Sequence, residues 1–120
     1  MIQHDLSNSG DCELARRTPR LFKASVEEYC AILQLAVKES VSGTERHTLK
    51  RTQILARQLG EADAVPHDFI AVHLAALAMV VKNKPRAMAK ACMRHSRLLL
   101  VKMIGELALF YRERAQAGKR

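Results

Sequence analysis

Tryptophan is absent, and two Tyr and three Phe supply the only aromatic bulk. A core must therefore be assembled from Leu, Val, Ala, Ile and Met, most of them good helix formers. Turn residues are equally scarce. Five Gly and three Pro in 120 residues are too few to punctuate a many-stranded sandwich or barrel. With 48% hydrophobic residues the chain can still bury a core, and its length suits one domain rather than two. The composition predicts an all-α protein.

Cysteine is sparse and unpatterned. Cys12, Cys30 and Cys92 are odd in number and widely spaced, with no CxxC pair of a zinc or redox site. Free thiols in a reducing cytoplasm are the plainest expectation, with Cys30 and Cys92 serving as small apolar core residues. The N-terminus lacks the basic-then-apolar layout of a signal peptide. No apolar run reaches the ~20 residues that a membrane span needs: His73 interrupts Phe69–Val81, and Lys102 and Glu106 interrupt Leu98–Tyr111. A cytoplasmic chain that avoids the membrane is expected.

Acid is missing from one segment altogether. Lys82, Lys84, Arg86, Lys90, Arg94, Arg97 and Lys102 follow one another with no Asp or Glu among them, and the balance of residues 84–120 equals the whole net charge of +8. A field of one sign on one segment points to an acidic partner surface.

What is present reads as helices. Residues 1–19 are polar and aperiodic, and are expected to form a flexible arm ending at Pro19. A domain of four helices is expected over 20–116, with a tail at 117–120. In the first helix Phe22, Val26, Tyr29, Cys30, Leu33, Ala36, Val37 and Ser40 recur at three- and four-residue steps until Ser42-Gly43. Ser42-x-x-Glu45 has capping-box spacing for a second helix, although Thr44 is an alternative cap. Leu49, Thr52, Leu55, Ala56 and Leu59 form the apolar side of that helix, with Arg46, Lys50 and Arg57 opposite, and Gly60 is its natural terminator. Pro66 opens a third helix, with Asp68 complementing its dipole. Its residues Phe69 to Val81 are apolar on every side apart from His73, which predicts a central, wholly buried helix.

The fourth helix, capped by Asn83 and running from about Pro85 to Ala115, would be ~45 Å long, longer than the ~30–35 Å breadth of such a domain. It must overhang, bend at Gly105 or pack on a second copy. Met88, Cys92, His95, Leu99 and Met103 face inward, and Arg86, Lys90, Arg94 and Arg97 fall within ~80° on the far side. Leu98 to Val101 then cover every direction around the helix, which one protomer cannot bury. A homodimer through Leu100, Val101, Ile104 and Leu107 is expected.

No residue set rises to a catalytic site or a cofactor site. His73 reads as a core histidine bonded to a carbonyl or a neighbouring side chain. A phospho-accepting histidine would carry an exposed polar face, with Lys and Gly one turn on, where this chain has Ala76 and Leu77. Cys92 and His95 share a face at a chelating spacing, but two ligands make no metal site. Lys102 and Glu106 are either a solvent-facing pair or polar markers that set the register of an interface. The basic stripe of Arg86, Lys90, Arg94 and Arg97 is read as partner-binding. Nucleic acid is the alternative ligand, although no stacking aromatic accompanies the stripe and no recognition-helix signature is present.

The stretch LARQLGEADAVPHDFIAVHLAAL, from Leu55 to Leu77, resembles the N-terminal partner-docking domain of RsbU-type stress-response phosphatases, which also occurs as a stand-alone protein. The features shared are an Ala-x-x-Leu-Gly step (Ala56, Leu59, Gly60), a short link, and a helix with a central histidine followed by Ala-Leu (His73, Ala76, Leu77). The last helix is similar in its apolar run Leu98–Ile104, in Glu106, and in Phe110 or Tyr111. The resemblance spans about residues 22–115 and implies a homodimer of four-helix protomers that docks a kinase-like switch protein. The C-terminal domain of the clock protein KaiA, which binds a peptide tail, is similar in architecture. Within these 120 residues no phosphatase domain follows the similar stretch, so the binding role rather than the phosphatase role is the expectation. His73 and Gly60 are carried over as structural positions. The expectation is a non-catalytic, cytoplasmic signalling regulator that works by partner switching, in the manner of a stress response, with a nucleic-acid-binding helical protein as the alternative.

Overall fold

Proline and glycine set the helix boundaries. The computed structural model describes residues 12–118, for Asn83 the backbone only, and all its regular structure is helical: α1 (Glu13–Arg17), α2 (Pro19–Ser42), α3 (Arg46–Glu61), α4 (Pro66–Asn83) and α5 (Arg86–Gly118). Pro19 and Pro66 each occupy a first helical turn, where the missing N–H costs nothing. Gly43 ends α2 in the left-handed region at φ 81°, its amide bonding to the Glu39 carbonyl.

The arm expected over residues 1–19 does not extend to residues 12–17. Residues 12–17 belong to the fold, while 1–11 lie outside the described residues. Cys12 caps α1, its sulfur accepting from the Ala15 amide at 3.4 Å, and Leu14 is fully buried at 0% exposure. The Leu14 amide donates to Asp68 Oδ1 at 3.2 Å while Asp68 Oδ2 accepts from the Val65 amide at 2.9 Å, so one carboxylate caps α4 and ties α1 to it. Five residues are too short for a period to show.

The start of α3 also differs from expectation. Ser42 Oγ donates back to the Glu39 carbonyl and no Ser42–Glu45 box forms. The cap comes instead from α2. The buried Glu39 accepts from the Thr48 amide (2.9 Å) and the Thr48 hydroxyl (2.8 Å), and its other oxygen lies 2.7 Å from His47 Nδ1. Burial by itself would raise the pKa of this carboxyl. The Thr48 amide and hydroxyl and the His47 ring outweigh that and hold it at about 2.

Two helices share the centre, and α4 is not one of them. α2 and α5 pack on each other, and each packs on both α3 and α4, which among the described residues do not touch. Phe69, Val72, Ala76 and Val80 of α4 are buried, but Ile70, Met79 and Val81 are exposed. An all-apolar helix here is therefore a flanking helix with an uncovered face. Leu33, Leu55, Leu59, Leu99 and Met103 fill the middle of the bundle.

α5 runs unbroken through Gly105 for 33 residues, ~50 Å at helical rise, which matches the long molecular axis of 51 Å. Its C-terminal half rests on α3 at a tight contact. Gly60 lies within α3 rather than ending it, and a Cβ there would stand 2.6 Å from the Phe110 ring. Tyr111 donates to the carbonyls of Ala64 (2.7 Å) and Gly60 (3.3 Å).

Candidate binding groove

The four cations read as a stripe do form one. Arg86, Lys90, Arg94 and Arg97 are exposed on the first half of α5, and among the described residues none has an ion-pair partner, whereas Arg57 and Arg114 bond to Glu113 and Asp63 at 3.1 and 3.2 Å. Two arginines at the α3/α5 end are thus compensated and the stripe is not, although Arg46, Lys50, Lys102 and Arg112 also have no ion pair among the described residues. The cleft at the compensated end, lined by Arg57, Glu61, Phe110, Glu113 and Arg114, carries both signs.

The stripe borders a groove of about 520 Å³ between α4 and α5. Lys90, Arg94 and Arg97 line one side, His73 and Leu77 of α4 the other, with Met93 and Ser96 between them. Ser96 Oγ is committed to the Met93 carbonyl at 2.7 Å. His73 is 8% exposed, and its Nδ1 lies 2.7 Å from the buried Tyr29 hydroxyl, the two rings meeting edge to face at 5.6 Å between centroids. Burial lowers the His73 pKa and raises that of Tyr29, so at neutral pH the pair is a neutral imidazole and an intact phenol.

His73 is therefore bonded to a neighbouring side chain, as a core histidine should be, and it also lines the groove beside the stripe. The sequence kept these apart because they stand on different helices. The signal within reach was the arc of Ile70, His73, Leu77 and Val81, which lie within ~80° on α4, and of which His73 and Leu77 line the groove.

The four residues expected to pair two protomers do not share one surface. Leu107 is 1% exposed and belongs to the protomer's own core, while Val101 is 67% exposed. Leu100 and Ile104 are half-buried against that core. Leu107 therefore cannot face a second copy, and the exposed large apolar side chains of α5 are Met93, Leu98, Val101 and Leu109. Val101 falls within ~60° of Lys90, Arg94 and Arg97 at 100° per residue, so the basic stripe runs into the apolar face. Glu106 accepts from Gln53 of α3 at 3.4 Å rather than pairing with Lys102.

Cys12, Cys30 and Cys92 are free and buried, and burial raises the pKa of each thiol. Among the described residues no three of His, Cys, Asp and Glu converge as metal ligands, and no helix is long and apolar enough to cross a membrane. No protein-family model, curated protein or solved structure matches the chain.

Proposed function

We propose that this chain is a non-catalytic regulatory module that docks an acidic protein surface or peptide on the basic face of α5. One observation carries the reading. Arg51, Arg57 and Arg114 are matched by acids, whereas Arg86, Lys90, Arg94 and Arg97, which share one arc of α5, have no ion pair among the described residues, and the last three line a groove. Unpaired like charges gain nothing from one another within the ~8–10 Å screening length, whereas an acidic partner would be attracted and oriented by them. The mechanism is occupancy: a partner is held or released, with no covalent step. The resemblance to the docking domain of RsbU-type phosphatases supports placing this in signalling, as partner switching in a cytoplasmic stress response with a kinase-like switch protein or a peptide tail as the partner.

A homodimer through α5 belongs to the same reading. Exposed Leu98, Val101 and Leu109, with half-buried Leu100 and Ile104 beside them, supply an apolar surface that a second copy would cover. Sedimentation at micromolar concentration should show two chains per particle. A monomer at that concentration removes the dimer.

The docking test reverses Arg94 and Arg97 together to Glu. A partner captured from native cytosol should then associate more slowly and lose much of its salt sensitivity. Unchanged association would make the stripe a solvated face. Tight binding of random duplex DNA that collapses with salt would instead favour a nucleic-acid-binding role.

A further inference from the structure

We propose that the groove between α4 and α5 is a carboxylate-recognition site: the His73 Nε2–H in its wall and Lys90, Arg94 and Arg97 on its rim receive an Asp or Glu side chain of a partner peptide, whose apolar neighbour lies on Leu77 and Met93. This deepens the docking reading above and rests on it.

The inference turns on where the imidazole proton sits. Tyr29 Oη and His73 Nδ1 are 2.7 Å apart, and two proton arrangements fit that distance. If Nδ1 carries the proton and donates to the phenol, the Tyr29 hydroxyl hydrogen needs an acceptor of its own. Tyr29 is buried and has no other hydrogen bond among the described residues, so this arrangement strands a buried donor. If Tyr29 donates to Nδ1, both groups are satisfied and the ring proton stands on Nε2. The second arrangement is the one this packing selects.

Nε2 is then a donor with no bond among the described residues. Nor is it sealed in, since the enclosed, unpaired polar side-chain atom among the described residues is Ser25 Oγ and not His73 Nε2. Nε2 therefore opens on the groove that His73 lines. The groove offers one neutral, oriented N–H together with the three cations Lys90, Arg94 and Arg97 that also line it. An anionic oxygen uses both. The Ser96 hydroxyl, spent on the Met93 carbonyl, does not compete for it.

The apolar walls decide which anion. Leu77 and the exposed Met93 would desolvate a nucleic-acid backbone without replacing its water, and no Phe, Tyr or Trp lines the groove to stack a base. A carboxylate on a short stem, next to a leucine-like residue, places charge on the rim and hydrocarbon on the walls. A short acidic-apolar peptide segment satisfies both.

The test uses the full chain, labelled with nitrogen-15 at histidine, and three fluorescein-labelled probes: a peptide of alternating Glu and Leu, the same peptide with Gln for Glu, and a random DNA duplex. In the free protein, long-range nitrogen–proton correlation should show His73 with Nε2 protonated and Nδ1 bare. The Glu peptide should bind, shift the Nε2–H resonance and bind about tenfold or more tightly than its Gln counterpart, a difference of about 1.4 kcal/mol. Tyr29→Phe, which releases the tautomer, should mix the two ring forms and weaken the Glu peptide several-fold, with Arg94 and Arg97 intact. A free His73 protonated on Nδ1 overturns the proposal. So does a Glu peptide that binds through Arg94 and Arg97 without moving the His73 resonance, an outcome that leaves docking on the stripe standing. Failure of the Glu peptide to bind also overturns the carboxylate site. Binding of the duplex in its place overturns the docking reading as well.

Discussion

Replacing Gly60 by Ala tests the approach of α5 to α3. An added Cβ would stand 2.6 and 2.8 Å from two carbons of the Phe110 ring, well inside van der Waals contact. The ring is half-buried, with the Arg57 guanidinium 5.9 Å from its centre. It can turn outward, but only by giving up that stacking and its seat on α3. Displacement of this kind costs about 1–3 kcal/mol. Helix propensity works in the opposite direction, since Ala within a helix is about 1 kcal/mol better than Gly. The net change in urea denaturation should be a loss of about 0–2 kcal/mol, up to several degrees in Tm. The sign should reverse in a Phe110→Ala background, where the clash is gone and the propensity gain remains. The coupling between the two changes should then be about 1–3 kcal/mol. If Gly60→Ala has the same effect in both backgrounds, within about 0.5 kcal/mol, the helices do not meet at this glycine and the argument fails.

Leu14→Ala should cost about 2–5 kcal/mol, because this side chain is fully buried; an unchanged denaturation midpoint would return residues 12–17 to a loose arm. Asp68→Ala removes the bonds to the Leu14 and Val65 amides and should cost about 1–3 kcal/mol, with faster hydrogen exchange at both amides; unaltered exchange would refute the bridge. Glu39 has a folded pKa of about 2 against an ordinary 4.5. Its contribution is therefore fully present above about pH 4.5 and is lost as pH falls toward 2. The stability difference between the parent and Glu39→Gln should shrink across that window, and a pH-independent difference would contradict the cap.

Much of the local structure was legible because its causes are local. Pro19, Gly43 and Pro66 act through their own dihedral angles, so the limits of α2 and the start of α4 follow from them. The three- and four-residue steps of Val26, Tyr29, Cys30, Leu33 and Ala36 mark a buried face whatever packs on it. An acid-free run of cations on one arc also needs no partner to be recognised. Periodicity shows that a helix has an apolar face, and it is silent about which helix covers that face. For this reason α4, apolar almost all round, suggested a centre that α2 and α5 in fact occupy. The same limit made Leu107 and Val101 look like one interface, although the packing of α5 on its own protomer turns the first inward and leaves the second in solvent. Gly60 reads as a helix stop on composition; only the approach of Phe110 from another helix shows that its missing side chain matters. Glu39 capping α3, Asp68 holding α1 and Tyr29 meeting His73 join groups on separate elements. Such bonds depend on how rigid helices are placed in space, and burial then makes each one costly to leave unmade. The groove that brings His73 beside Lys90, Arg94 and Arg97 arises the same way, from the packing of α4 against α5, which no single helix encodes.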